Sequence, residues 1–267
     1  MSQPLTVPPR TAIRLADFDP SYTGGIKDKQ EASQELEENV QALDNLGYRL
    51  YAENRRALLL VLQGMDTSGK DGTVRHVMRG FNPQGCQVTS FKQPSEEELD
   101  HDFLWRIAKA LPRKGDIGIF NRSHYEDVLV VRVHKLVPKK EWRRRYKRIS
   151  VFEKQVTQGG TTIVKVFLHI SKEEQRKRLE ARLNDAEKRW KFSKADLDER
   201  GFWDDYQQAY EDALTRCNTK YAPWHIVPAD RKWYRNLVVS RLLRETLEKM
   251  DPQFPPPEPG LDDLQVV

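Results

Sequence analysis

R-A-L-L-L-V-L-Q-G-M-D-T-S-G-K-D-G-T, residues Arg56 to Thr73, is the stretch from which the fold can be read. Arg56 to Gln63 is a short, almost unbroken apolar run, the pattern of a parallel strand with both faces covered. It leads straight into Gly64, Gly69 and Lys70, which satisfy the G-x-x-x-x-G-K core of a Walker A loop. Glycines permit a turn whose N–H groups converge on an anion, the following helix adds the positive end of its dipole, and Lys70 adds a point charge. Thr67, Ser68, Asp71, Gly72 and Thr73 are therefore candidate phosphate ligands beside Gly64, Gly69 and Lys70.

Working outward, Leu36, Val40, Leu43, Leu46 and Leu50 recur at intervals of three and four and predict a helix from about Lys27 to Asn54. Further strands are expected at Cys86 to Phe91, Asp116 to Phe120, Thr162 to Ile170 and Trp224 to Pro228, each separated from the next by a helical segment. That alternation predicts an α/β fold, a three-layer α/β/α sandwich around a central parallel sheet of about five strands. Residues 1–26 read as an extended arm, 27–250 as a single domain, and the proline-rich 251–267 as a loosely attached tail.

The loop departs from the usual motif in one place. The Ser or Thr that follows the lysine and ligates magnesium is replaced by Asp71, so metal ligation must be redistributed. Asp66 is the candidate, because a carboxylate among phosphate-binding amides is tolerable when a cation lies between. The alternative is that Asp66 caps the helix or turns the loop.

A second element, N-R-S-H-Y-E-D from Asn121 to Asp127, follows the strand Asp116 to Phe120, at the carboxyl edge where open α/β sheets bind ligands. Arg122 offers a planar set of donors to phosphoryl oxygens. Asn121 stands where a Walker B strand carries Asp, and the acids come later as Glu126 and Asp127, read either as pocket residues or as a solvated helix start.

Composition narrows the classes. The 267 residues are 38% hydrophobic and 32% charged with net charge +5, as in a soluble globular protein. No run approaches the roughly 20 apolar residues of a membrane span, and the first ten residues lack a signal pattern. Two distant cysteines, Cys86 and Cys217, suit a reducing cytoplasm, and six unpaired histidines argue for a hard ion held by oxygen over a transition metal. From Arg132 to Arg148 nine Lys or Arg residues meet one acid, Glu141, which favours a polyanionic ligand. In its Lys139 to Arg148 part, Trp142 and Tyr146, with Ile149 just beyond, are spaced as the buried face of a helix, leaving the cations outside; a polyphosphate track and, last, a nucleic-acid site are the other readings. Arg75 and Arg79, one turn apart after the loop, are better placed for such a track.

These two motifs, with E-K-R-W-K-F-S at Glu187 to Ser193 and Y-A-P-W at Tyr221 to Trp224, resemble polyphosphate kinase family 2 over about Arg56 to Glu248. The resemblance implies a thymidylate-kinase-like fold with a helical lid at about 175–200, and magnesium, or manganese in its place, as cofactor. Inorganic polyphosphate and purine nucleotides are the partners it implies, with a homo-oligomer, dimer or tetramer, as the assembly. Carried over by residue, it implies catalytic roles for Asp66, Lys70, Arg122, Arg182 and Arg189, with Lys188 joining Arg75 and Arg79 on a polyphosphate track. Arg176, Lys177 and Arg178 read instead as a solvated helix face. Trp190 and Phe192 read as anchors of the lid. Asn121 and Glu126 resemble the class III branch, which accepts both AMP and ADP. The rival readings are an ATP-dependent nucleoside monophosphate kinase of the same fold and a non-catalytic polyanion-binding protein.

Overall fold

The computed structural model describes residues 6–9 and 11–260. Its helices and strands run α1 (Lys29–Glu53), β1 (Ala57–Gly64), α2 (Lys70–Val77), β2 (Cys86–Ser90), α3 (Glu96–Asp100), α4 (Trp105–Lys109), β3 (Ile117–Asn121) and α5 (Val130–Val133). They continue with α6 (Lys139–Gln158), β4 (Thr161–His169), α7 (Lys172–Asn184), α8 (Ala195–Gly201), α9 (Trp203–Arg216), β5 (Trp224–Pro228) and α10 (Lys232–Met250). All five expected strands are present, within a residue or so of the expected limits.

The strands form one parallel sheet in the order β2-β3-β1-β4-β5. Every residue of β1 is buried, as a strand covered on both faces requires. One helix group, α1, α2 and α10, and a second, α5, α6 and α9, supply that cover, and both reach β4. On α1 the repeating face lies inward, with Leu43 and Leu50 buried, and Asp28 caps its start by accepting from the amides of Gln30 and Glu31. On α6, Trp142, Tyr146 and Ile149 are buried as their spacing predicts. The register pairs Leu62 with Asn121, so β1 and β3 end abreast and deliver their following loops to the same edge.

Both ends pack more closely than their composition suggests. The amino-terminal arm is extended but packed: Thr6 forms an antiparallel bridge to His225 on the edge strand β5, and Val7, Ile13 and Leu15 are buried. The tail is not loosely attached where it leaves α10. Pro252 is buried, and the Phe254 ring meets Tyr48 edge-on at 5.8 Å with Arg49 over its face; residues 261–267 lie outside the described residues. Among the described residues no helix is long and apolar enough to cross a membrane.

Asn218 ties the arm to the domain. Its amide donates to the carbonyls of Val7 and Pro8, both at 3.0 Å, and its oxygen accepts from Trp224 N at 3.0 Å. Asn218→Ala strands these buried groups and is expected to cost about 2 kcal/mol, read as a lower urea midpoint at unchanged slope. A loss below about 0.5 kcal/mol would mean that the arm's packing adds nothing to stability.

Candidate active site

The loop after β1 is tight enough to demand its glycines. Gly64 has φ 156°, and a Cβ there would lie 2.8 Å from the Leu168 carbonyl oxygen. Gly69 has φ 103°, and a Cβ there would lie 1.7 Å from an Arg235 nitrogen. Between them Thr67 holds a left-handed φ of 62° without being glycine, a conformation that persists only where surrounding contacts impose it.

Lys70 opens α2 and is buried, its ammonium donating to the carbonyls of Gly64 at 2.7 Å and Met65 at 3.2 Å. Burial, with Arg122 nearby, lowers its pKa to about 8, although Asp66, Glu126 and Asp71 pull the other way. At the end of β3, Arg122 adopts φ 63° and donates to Asp66 at 2.9 Å, with Glu126 at 3.8 Å on its other side. Burial raises the Glu126 carboxyl above its ordinary range against the pull of Arg122 and Lys70. Asn121 donates to Asp71 at 2.7 Å, joining the two loops directly.

These groups open on a cleft of about 780 Å³. Its lining carries nine cations (Lys70, Arg75, Lys92, Arg122, Arg178, Arg182, Lys188, Lys232, Arg235) against the carboxylates of Asp66, Asp71 and Asp196. Such an imbalance in a concave site suits a polyanion. A second cavity, about 550 Å³ and lined by Phe91, Phe103, Val130, Val131 and Val137 among others, shares Arg122 with the cleft and also contains Glu126.

The expected residues divide. Asp66, Thr67, Gly69, Lys70, Asp71, Gly72, Arg75, Asn121, Arg122, Arg182 and Lys188 line the cleft together. Gly64 and Glu126 line an adjoining cavity of about 210 Å³. Ser68 is fully buried, and Thr73 is buried with its hydroxyl on the Gly69 carbonyl, so both belong to the wall of the loop. Arg79 is not among the cleft's lining residues, because Glu37 of α1 binds its guanidinium at 3.0 Å. Arg189 is exposed and donates back to the Leu183 carbonyl, so of the two arginines expected over the phosphates only Arg182 is among the cleft's lining residues. Trp190 is 76% exposed and not a buried anchor.

Glu126 and Asp127 do not start a solvated helix; they end a 3-10 turn, His124–Asp127, that is largely buried. Asp127 pairs with Arg145 at 2.7 Å and faces the second cavity, its carboxyl raised by burial to about 6. Arg145 is thus turned inward, against the expectation that the cations of α6 all lie outside.

Sequence reasoning missed two arginines. Arg178, read as part of a solvated face, is buried and donates to the carbonyls of Thr67, Ser68, Ala229 and Asp230 at 2.6 to 3.1 Å. Arg235, on α10, donates to Ser68 O at 3.3 Å, and burial beside Arg178 lowers its pKa to about 10. A signal for the first was present: Gln175, Arg178 and Leu179 are spaced as one helix face, and all three are buried.

Residues 26–255 match the family model for Polyphosphate kinase 2 (PPK2). The AMP/ADP-polyphosphate phosphotransferase of Meiothermus ruber is 50% identical over 261 residues, 97% of this chain and 98% of that one. The ADP-polyphosphate phosphotransferase of Rhodopseudomonas palustris is 49% identical over 254 residues, 91% of this chain and 86% of that one. The crystal structure of polyphosphate kinase 2 from Arthrobacter aurescens TC1 matches the fold with a TM-score of 0.94 at 45% identity, covering 97% of this chain and 93% of that one. With the loop, the cationic cleft and these matches spanning the same domain, the chain belongs to the polyphosphate kinase 2 family.

Proposed function

We propose that this protein transfers a phosphoryl group between inorganic polyphosphate and a purine nucleotide, AMP or ADP. The observation that carries the reading is the junction of two cavities at Arg122: a strongly cationic cleft along the phosphate loop and a neighbouring cavity with aromatic and aliphatic walls. The first suits a chain of phosphates, and the second offers room for a nucleoside. Relatives at about half identity are named for the same pair of substrates. A cytoplasmic setting, in which the free thiols Cys86 and Cys217 stay reduced, and assembly into a homo-oligomer belong to the same proposal.

In the reaction, an oxygen of the nucleotide's terminal phosphate attacks the terminal phosphorus of polyphosphate, the bridging P–O bond breaks, and the shortened chain leaves with that oxygen; the reverse path uses the same groups. Alignment and cancellation of charge on the transferring phosphoryl are what the protein supplies. Lys70 and Arg122 flank the loop mouth and Arg182 lies on the same cleft wall, so all three are assigned to the developing charge. Arg178 and Arg235 cover the loop's carbonyl oxygens, which would otherwise repel phosphate.

Magnesium fits this donor set. It is usually held by one or two carboxylates together with substrate phosphates and retained water, and the Asp66 carboxylate lines both the cleft and the 210 Å³ cavity. Among the described residues no group of three or more His, Cys, Asp or Glu is arranged to hold a metal by itself. Asp66 would hold the ion, which when bound supplies further neutralisation of phosphoryl oxygens.

With purified protein, magnesium and polyphosphate, ADP should become ATP with no other nucleotide donor present, and Lys70→Ala should lower kcat by at least about 100-fold in a folded protein. Product formed only when ATP is supplied as donor to a monophosphate would transfer the reading to a nucleoside monophosphate kinase. Binding of polyphosphate without turnover would mark a polyanion-binding protein. Asp66→Ala should raise the magnesium concentration for half-maximal rate by about tenfold or more; an unaltered magnesium curve removes Asp66 from the metal.

Lys70 also sets a pH dependence. With a free-enzyme pKa of about 8, its charge is present below that value and is lost above it, so kcat/KM for polyphosphate should decline as pH rises through about 8. The stability contribution has the opposite sign. Because the folded value lies below the ordinary lysine value of 10.5, the unfolded chain binds more protons in this window, and Lys70's own contribution to stability rises with pH. A flat kcat/KM profile from pH 7 to 9.5 would exclude the assigned role.

A further inference from the structure

Beneath the turn His124–Asp127 lies a polar cluster that the transfer chemistry does not use. Glu153 of α6 and Lys165 of β4 are both fully buried and form an ion pair at 2.7 Å. The ammonium of Lys165 spends its three protons on Glu153 Oε2 at 2.7 Å, Tyr125 Oη at 2.8 Å and the Cys217 carbonyl at 2.7 Å. The other carboxylate oxygen, Glu153 Oε1, accepts from Tyr125 Oη at 2.7 Å and from His124 Nε2 at 3.1 Å. His124 Nδ1 has no partner, which places the ring proton on Nε2, facing Glu153. Burial would push the Glu153 carboxyl up, but Lys165 and His124 more than reverse this and keep it ionised.

A buried ion pair is a poor source of stability, since apolar side chains of equal volume often do as well or better. What this pair does that apolar groups could not is hold two consecutive residues of one turn by hydrogen bonds. That turn follows Arg122, whose left-handed φ of 63° is strained for a residue with a side chain. Ser123, between them, accepts from Gln63 of β1 at 3.1 Å. From Arg122 to Glu126 the chain is thus fastened at 123, 124 and 125, while 122 and 126 face the phosphate cleft and its neighbouring cavities.

We propose that Glu153, braced by Lys165, is a positioning residue for phosphoryl transfer: it fixes the 123–125 turn from below and so sets where Arg122 and Glu126 stand at the junction of the two cavities. The charge on Glu153 never meets substrate. Its effect is on the alignment of Arg122 with the transferring group, and alignment enters kcat more than substrate binding. The kinetic part of this inference rests on the function proposed above; the geometric part does not.

Two variants and two readouts test it. Glu153→Gln keeps the shape and removes the charge, and Tyr125→Phe leaves the Glu153–Lys165 pair intact while cutting one of its ties to the turn. In each folded variant kcat should fall at least about tenfold while KM for polyphosphate and for nucleotide stays within about threefold. Amide hydrogen exchange in residues 122–129 should quicken by at least about tenfold with β1 unchanged. A role confined to stability would move the melting temperature without this split, so a smaller fall in kcat, or a loss carried by KM, overturns the proposal, as does unaltered exchange in the turn. Should Glu153→Gln not fold, Tyr125→Phe decides alone. Should the wild-type protein fail to use polyphosphate, the function proposed above fails, and exchange in the turn decides this inference independently.

Discussion

Two buried guanidiniums grip the outer carbonyls of the phosphate loop, and the rest of the site is arranged around that grip. Arg178 comes from α7 and Arg235 from α10, and they meet at Ser68 O. Neither has a carboxylate that cancels its charge fully; Glu174 at 2.8 Å partners Arg178 alone. Burial, and then Arg178 beside it, lowers the pKa of Arg235. Like charges are held together here by backbone oxygens, which accept hydrogen bonds without removing the positive potential. The loop thereby loses the partial negative charge that would oppose phosphate, and its surroundings keep a fixed excess of cation.

This arrangement works against stability. Lys70 is buried beside Arg122, and two residues with side chains, Thr67 and Arg122, hold left-handed backbone angles. Each such residue costs on the order of 1–3 kcal/mol, and the contacts that hold these two, Arg178 on Thr67 O and the ties at 123 to 125, come from other elements. The compensation is remote. Strand β1 is buried along its whole length, α1 packs along α10, and the amino-terminal arm closes the β5 edge. A scaffold of this kind lets the loop keep a shape that it would not adopt alone.

The fold was legible because its signals are periodic. A continuous apolar strand, a glycine turn and alternating helix and strand segments required no knowledge of distant contacts, and the five strands fall where those patterns place them. Asp66, Lys70 and Arg122 were legible for a related reason: motif spacing reports a loop whose parts are adjacent in sequence. What stayed hidden depended on contacts between elements far apart in the chain. Arg178 looks like its solvated neighbours until α7 packs on the loop 110 residues before it. Arg79 looks like a partner of Arg75 until Glu37 claims it. The acids at 126 and 127 suggested a helix start because a carboxylate near a helix dipole is common, whereas the contact with Arg145 that buries Asp127 comes from another helix. The buried arm could not be anticipated either, since Pro and Gly content speaks to chain conformation and not to what covers it.

The two departures from the usual phosphate-loop motif turn out to be one change. A Walker site places an acid at the end of the second strand and a hydroxyl after the lysine; this chain has Asn121 and Asp71 in those places, and the two side chains meet at 2.7 Å. Had both positions carried carboxylates, that contact would join two negative charges at the mouth of an anion site. Had both been neutral, Lys70 would lose one of the three carboxylates, Asp66, Glu126 and Asp71, that favour its charge. With the acid moved onto the helix and the amide onto the strand, the count of negative charge is kept, and Asn121 serves as donor to the carboxylate that replaced the hydroxyl. Asp66, inside the loop and paired with Arg122, is the carboxylate to which the proposed magnesium is assigned. The register that sets Leu62 beside Asn121 is what brings the two loops close enough for this contact.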